Sequence, residues 1–134
     1  MSSPVDNAGL TVLSQDACRQ RLASGYTGRL GLVVDAAPVI LPVNYRYVDD
    51  AVFVRTAPGT KLDAALRGDV MCLEIDEIDD EFHRGWSVLA TGPARVLDAD
   101  ALEAVDRLPL RPWASPSART HVICIEPLEL SGRR

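Results

Sequence analysis

Short turns between β-branched runs constrain this chain more than any other feature. RLGLVV, from Arg29 to Val34, is followed by Asp35-Ala36-Ala37-Pro38 and then by VILPVNYRY, from Val39 to Tyr47. Asp49-Asp50 then turns the chain into AVFVRT, residues 51–56. A parallel crossover needs a dozen or more residues, so connections this short favour antiparallel neighbours. Pro42 cannot donate inside a ladder, which predicts an edge, a bulge or a bend in the second run.

The same pattern continues. Val70 to Ile78 alternates, with Met71, Leu73 and Ile75 on one face and Cys72, Glu74 and Asp76 on the other, as a half-buried strand does. Trp86 to Leu97 reads as a long strand, and Gly92-Pro93 inside it suggests a bulge or a barrel corner. HVICIEPLEL, from His121 to Leu130, is the final strand. Ser14 caps a helix that stops at Gly25, and Thr60 has the character of an N-cap for a short helix closed by Gly68. Asp98 caps a third, carrying Ala101, Leu102, Val105 and Leu108 and ended by Pro109. Residues 1–11 read as a flexible N-terminal arm and 12–134 as one domain. About six strands and three short helices predict a mainly β fold, a small closed or nearly closed antiparallel barrel.

A net charge of −5 argues against nucleic acid as the main partner. No apolar run approaches the roughly 18 residues of a membrane span, and MSSPVDNAGL lacks the order of a secretion signal. Three scattered cysteines, Cys18, Cys72 and Cys124, point to reduced thiols in a cytoplasm, with Cys72 and Cys124 as buried small hydrophobes.

Candidate chemistry concentrates in VFVRTAPGTKLDAALRG. Arg55 and Thr56 end a strand, and Lys61 follows Thr60 at a helix start, where partial positive charge makes a lysine unfavourable unless an anion is near. Arginine, hydroxyl, free amides and lysine together make a phosphate cradle, although Arg55 and Lys61 also read as solvated surface charges. Around Pro42, freed backbone groups and the Asn44 amide suit the edge of a flat heterocycle, and an ordinary edge strand accounts for them equally well. Trp86, next to Ser87, and Trp113 flank loops, as pocket walls or as plain packing. The six carboxylates of EIDEIDDEFHRG form a solvated hairpin rather than a metal site. No GxSxG motif or evident protein nucleophile occurs, so an enzyme here leans on a cofactor.

In order, GRLGLVVDAAPVILPVNYRY, VFVRTAPGTKLDAALRG, EIDEIDDEFHRGWSVLATGPARVL, a Pro-Trp loop and a terminal SGRR resemble the pyridoxamine 5′-phosphate oxidase-like proteins of the flavin-binding split-barrel superfamily. The similarity spans about residues 10–134 and is closest to the short single-domain actinobacterial members. It implies a six-stranded Greek-key split barrel forming a homodimer, with two FMN molecules at the interface contacted by both subunits. Carried over, Arg55, Thr56 and Lys61 hold the FMN phosphate with Thr60 beside it, and Pro42, Val43 and Asn44 run along the isoalloxazine edge. Trp86 and Ser87 approach the flavin, and Trp113 closes the site from the other subunit. The longer chain and the substrate arginine and histidine of the vitamin-converting oxidases have no recognisable counterpart, although Arg119 and His121 lie in a comparable region. The resemblance thus implies a cytoplasmic FMN-dependent oxidoreductase acting on a small molecule. The alternative on the same scaffold is a non-catalytic flavin, deazaflavin or haem binding or sensing protein.

Overall fold

A computed structural model of the chain describes residues 4–98 and 121–134. Its hairpins are tight because four non-glycine residues accept left-handed backbone. Asp35 and Ala36 (φ 49° and 63°) join strand β1 (Thr27–Val34) to β2 (Ala37–Asn44) in a two-residue turn, with Val34 opposite Ala37. Asp49 and Asp50 (φ 51° and 61°) do the same between β3 (Arg46–Val48) and β4 (Ala51–Thr56). Such turns match the right-handed twist of the strands they join, and aspartate tolerates this conformation. The remaining elements are helices α1 (Gln15–Ser24) and α2 (Thr60–Arg67) and strands β5 (Val70–Asp79), β6 (Arg84–Val96), β7 (His121–Ile125) and β8 (Glu129–Arg133).

The described residues thus hold eight strands rather than six, because two of the expected strands are divided. VILPVNYRY breaks at Tyr45: β2 pairs with β1, whereas β3 pairs with β4. HVICIEPLEL breaks at Glu126–Leu128 into β7 and β8, both antiparallel to β6. All pairing is antiparallel, in the order β2-β1-β5-β6-β7-β4-β3, with β8 also on β6. The two ends of this path, β2 and β3, are separated in the chain only by Tyr45. The sheet must therefore curl until its edges meet at that residue, which makes a split barrel. Tyr45 is 1% exposed; its backbone N–H donates to the Tyr26 carbonyl and its hydroxyl to the Leu22 carbonyl, each at 2.8 Å.

At the opposite corner, Glu126, Pro127 and Leu128 face only Gly92 and Pro93, between the Thr91–Glu129 and Ala94–Ile125 pairs. A side chain at position 92 would put its Cβ 2.3 Å from the Glu126 carbonyl oxygen, a backbone atom that no rotamer change can move aside. Gly92→Val is therefore expected to cost about 1–3 kcal/mol. In thermal denaturation that is a fall of roughly 4–15 °C in Tm, and an unchanged Tm would contradict the close approach.

Alternation along the strands turns Leu30, Leu32, Val52, Val54, Met71, Leu73, Ile75 and Val88 inward, and Cys18 and Leu22 of α1 with Ala64 and Ala65 of α2 pack onto them. Cys72, expected to be buried, is only half-buried, because it shares the outward face of β5 with Glu74 and Asp76. Cys124 is buried as expected. Ser14 caps α1, its Oγ accepting from the Ala17 N–H at 3.1 Å. The segment read as an arm is hydrogen-bonded from Pro4 onward: the Pro4 carbonyl accepts from the Val12 N–H at 2.8 Å, and Thr11 and Arg134 of the chain end exchange two 2.9 Å backbone bonds. The helix expected over 98–109, Trp113 and Arg119 lie outside the described residues. Among the described residues, no helix is long and apolar enough to cross a membrane.

Candidate functional site

In β4 the two-residue period sends Val54 and Thr56 inward and leaves Phe53 and Arg55 half-buried on the other face. Thr56 is 1% exposed and its hydroxyl donates to the Ala57 carbonyl at 3.1 Å. After Ala57-Pro58 the chain enters α2 through Gly59, not Thr60: Gly59 is the N-cap and Thr60 the first helical residue. Gly59 holds a φ of 154° and has no side chain, so no side-chain acceptor satisfies the N–H groups of the first turn. Lys61, expected to open the helix, is its second residue and is half-buried. Arg55 and Lys61 thus stand, along the chain, on either side of an uncapped helix N-terminus. A glycine cap that removes the usual side-chain acceptor leaves backbone donors for a ligand anion.

A second group of predicted residues lies at the end of β2. β2 is an edge strand, and Pro42 sits exposed on it opposite Arg29, where its missing N–H breaks no ladder bond. Val43 is buried, and the side-chain oxygen of half-buried Asn44 accepts from the Thr27 hydroxyl at 3.3 Å. β2 and β4 also touch each other, although they share no ladder. Of the predicted set, Pro42, Val43 and Asn44 close β2, and Arg55, Thr56, Thr60 and Lys61 run from the end of β4 into α2.

Trp86 and Ser87 stand apart from that group. Ser87 pairs with Asp76, and the Arg29–Glu74 register carried two residues further sets Thr27, the partner of Asn44, beside Asp76. Ser87 and Asn44 thus share a transverse row but are separated by β1 and β5, roughly 14 Å at about 4.8 Å per strand. Trp86 points to the other face, packed against the core, and the Arg21 guanidinium lies 4.4 Å from its ring centroid.

Two arrangements were not anticipated from sequence. Between the groups, Arg29 bridges Glu74 at 3.1 Å and Asp76 at 3.0 Å. Burial, then the neighbouring Asp76, push the Glu74 carboxyl up, while Arg29 pulls it back. The face shared by Glu74 and Asp76 was visible in the alternation of β5, but their arginine depends on the β1–β5 register. The other arrangement is a cavity of about 330 Å³ beyond Trp86 and Ser87, with Leu10 and Ile78 on its apolar side and Arg84, Arg133 and Arg134 at its rim. Its walls come from three distant stretches, at Leu10, at Ile78 to Ser87 and at Arg133–Arg134, joined by the β6–β8 pairing and the Asp6–Arg133 salt bridge of 3.1 Å. No local motif announces such a site.

Comparison with known proteins places this architecture. The sequence model of the family described as pyridoxamine 5′-phosphate oxidase matches residues 14–134. The uncharacterized protein Rv0080 of Mycobacterium tuberculosis is 35% identical over 139 residues, spanning 99% of this chain and 90% of its own. The FAD binding protein from Mycobacterium smegmatis superposes with a TM-score of 0.74 at 33% identity, covering 92% of this chain and 99% of that one. The FAD and heme binding protein from the same organism, at 20% identity and a TM-score of 0.69 over 90% of this chain and 70% of its own, shares the fold. By the extent of the family match and the strand order that accompanies it, the chain belongs to the pyridoxamine 5′-phosphate oxidase-like family.

Proposed function

We propose that the protein is an FMN-dependent oxidoreductase acting on a small molecule, with the cofactor phosphate held where β4 hands over to α2 and two copies of the chain completing the site. One observation carries this reading: Arg55 and Lys61 stand, along the chain, on either side of a helix N-terminus that no side chain caps. Arg55 and Lys61 supply charge, and Thr60 with the first-turn amides of α2 supplies directed donors. Thr56 supports the corner from within through its bond to Ala57. Pro42, Val43 and Asn44 run along the ring edge and fix its orientation. When bound, the isoalloxazine supplies the electron or hydride chemistry that no side chain of this sequence offers. The separation of Ser87 from Asn44 by two strands supports a homodimer, in which Trp86 and Ser87 of one copy meet the flavin held by the other. Three unpaired cysteines fit a cytoplasmic protein.

The flavin reading also draws on the 33% identical relative, whose own ligand is FAD. FAD is therefore the rival occupant. Titration of the protein with FMN and with FAD, followed by visible absorbance, separates the two, and NADPH oxidation by the loaded protein tests turnover. FMN is expected to bind more tightly than FAD and to gain affinity as protein concentration rises through the dimerisation range. Affinity independent of concentration, in a chain shown to be monomeric, would sink the shared site.

A further inference from the structure

We propose that the cavity beyond Trp86 is a substrate subsite that takes a small flat organic anion, an aromatic or heteroaromatic ring bearing one carboxylate or comparable group. Its role as a substrate subsite rests on the oxidoreductase reading above; the binding itself does not. At about 330 Å³ the space is at the lower end of small-molecule pockets, enough for one or two fused rings. Leu10, Ile78 and Trp86 give it apolar walls, and an indole face suits a flat ring.

The charge at the rim runs against the rest of the molecule. The chain carries 19 acidic and 14 basic residues, yet the side chains lining this cavity include Arg84, Arg133, Arg134 and His83 and no Asp or Glu. Arg133 is held by Asp6 at 3.1 Å, which fixes one guanidinium in place and cancels part of its charge. Arg84 lies 5.0 Å from the Phe82 ring centroid and has no carboxylate partner among the described residues. A neighbouring cavity shares Ile78, Arg84 and Trp86 but is lined by Glu77, Asp79 and Asp80. The indole thus divides an anion-repelling side from an anion-accepting one. Arg21, which lines the acidic cavity and lies against the Trp86 ring, braces that partition.

The test uses 2-naphthoate and its neutral counterpart 2-naphthylmethanol, titrated into the full chain by calorimetry and by quenching of tryptophan fluorescence. 2-Naphthoate is expected to bind about tenfold or more tightly than the alcohol. Arg84→Gln, at an exposed position, is expected to remove most of that preference and leave the alcohol unaffected. Equal binding of the two probes, no binding of either, or an unchanged preference in Arg84→Gln would overturn the proposal. FMN affinity is read in the same samples from its visible absorbance. Flavin binding without naphthoate binding defeats the subsite and leaves the cofactor reading intact. Naphthoate binding without flavin binding defeats the cofactor reading and upholds the pocket as an anion site. Displacement of naphthoate by stoichiometric FMN assigns the cavity to the cofactor and overturns the proposal.

Discussion

A chain carrying Arg55→Ala and Lys61→Ala together is expected to bind FMN on the order of 10²–10⁴-fold more weakly than the parent. On the proposed reading each residue makes a charge-assisted contact with a dianion, worth about 1.5–3 kcal/mol, and every 1.4 kcal/mol is a factor of ten. Both side chains are half-buried, so solvent screens them less than it would a fully exposed pair. Neither belongs to the hydrophobic core, and circular dichroism and Tm of the double variant should stay near the parent values. The single variants should each fall between parent and double, and added salt should weaken parent binding more than double-variant binding. Affinity in the double variant within threefold of the parent would remove the phosphate from this corner.

Tyr45→Ala is expected to destabilise the fold by about 3–5 kcal/mol, since it empties a fully buried aromatic position where the two edges of the sheet meet. Against a total of roughly 5–15 kcal/mol this is a fifth or more of the stability of a domain. Tyr45→Phe keeps the ring and loses only the hydroxyl's bond to the Leu22 carbonyl, which still accepts from the Gly25 N–H at 3.3 Å, at a cost of about 0.5–1.5 kcal/mol. The phenol also carries a pH signature. Burial pushes its pKa up to about 12, against a smaller pull downward from Arg46. An unfolded tyrosine loses its proton near pH 10, so between pH 10 and 12 the unfolded state binds fewer protons and stability falls as pH rises. The loss is on the order of 2–3 kcal/mol, is complete above pH 12 and is absent below pH 10. Urea unfolding at pH 8 and at pH 11 should show the parent losing more stability than Tyr45→Phe. Equal losses would mean that Tyr45 is not desolvated.

What could be read from the sequence was local. The hairpins at Asp35 and Asp49 are short enough to dictate antiparallel pairing, and β4 has the predicted bounds because its alternation is uninterrupted. The Gly92-Pro93 corner was also legible, as a glycine and a proline inside an otherwise apolar run. Tyr45 was not. It is an aromatic residue in a run of good strand formers, and only the switch of partner from β1 to β4 reveals it as a break. Pro127 divided the last strand for a reason the sequence carried, since proline within a run favours a bulge, and the apolar residues on both sides concealed it.

The candidate site divides in the same way. Arg55 and Lys61 were readable because charge at a strand end and at a helix start conflicts with local preference. Thr60 was misplaced as the cap because a hydroxyl ordinarily outranks a glycine there, and here a bare Gly59 takes the position. The Arg84–Arg133 cavity and the Arg29–Glu74–Asp76 cluster depend on registers between distant strands, and no single stretch contains either of them.

A crystal structure of the protein grown with FMN tests the central claim most directly. The account predicts the phosphate within hydrogen-bonding distance of the Arg55 guanidinium, the Lys61 ammonium and the first-turn amides of α2, with the ring edge along Pro42–Asn44. Flavin density elsewhere, with that corner filled only by solvent, would contradict it.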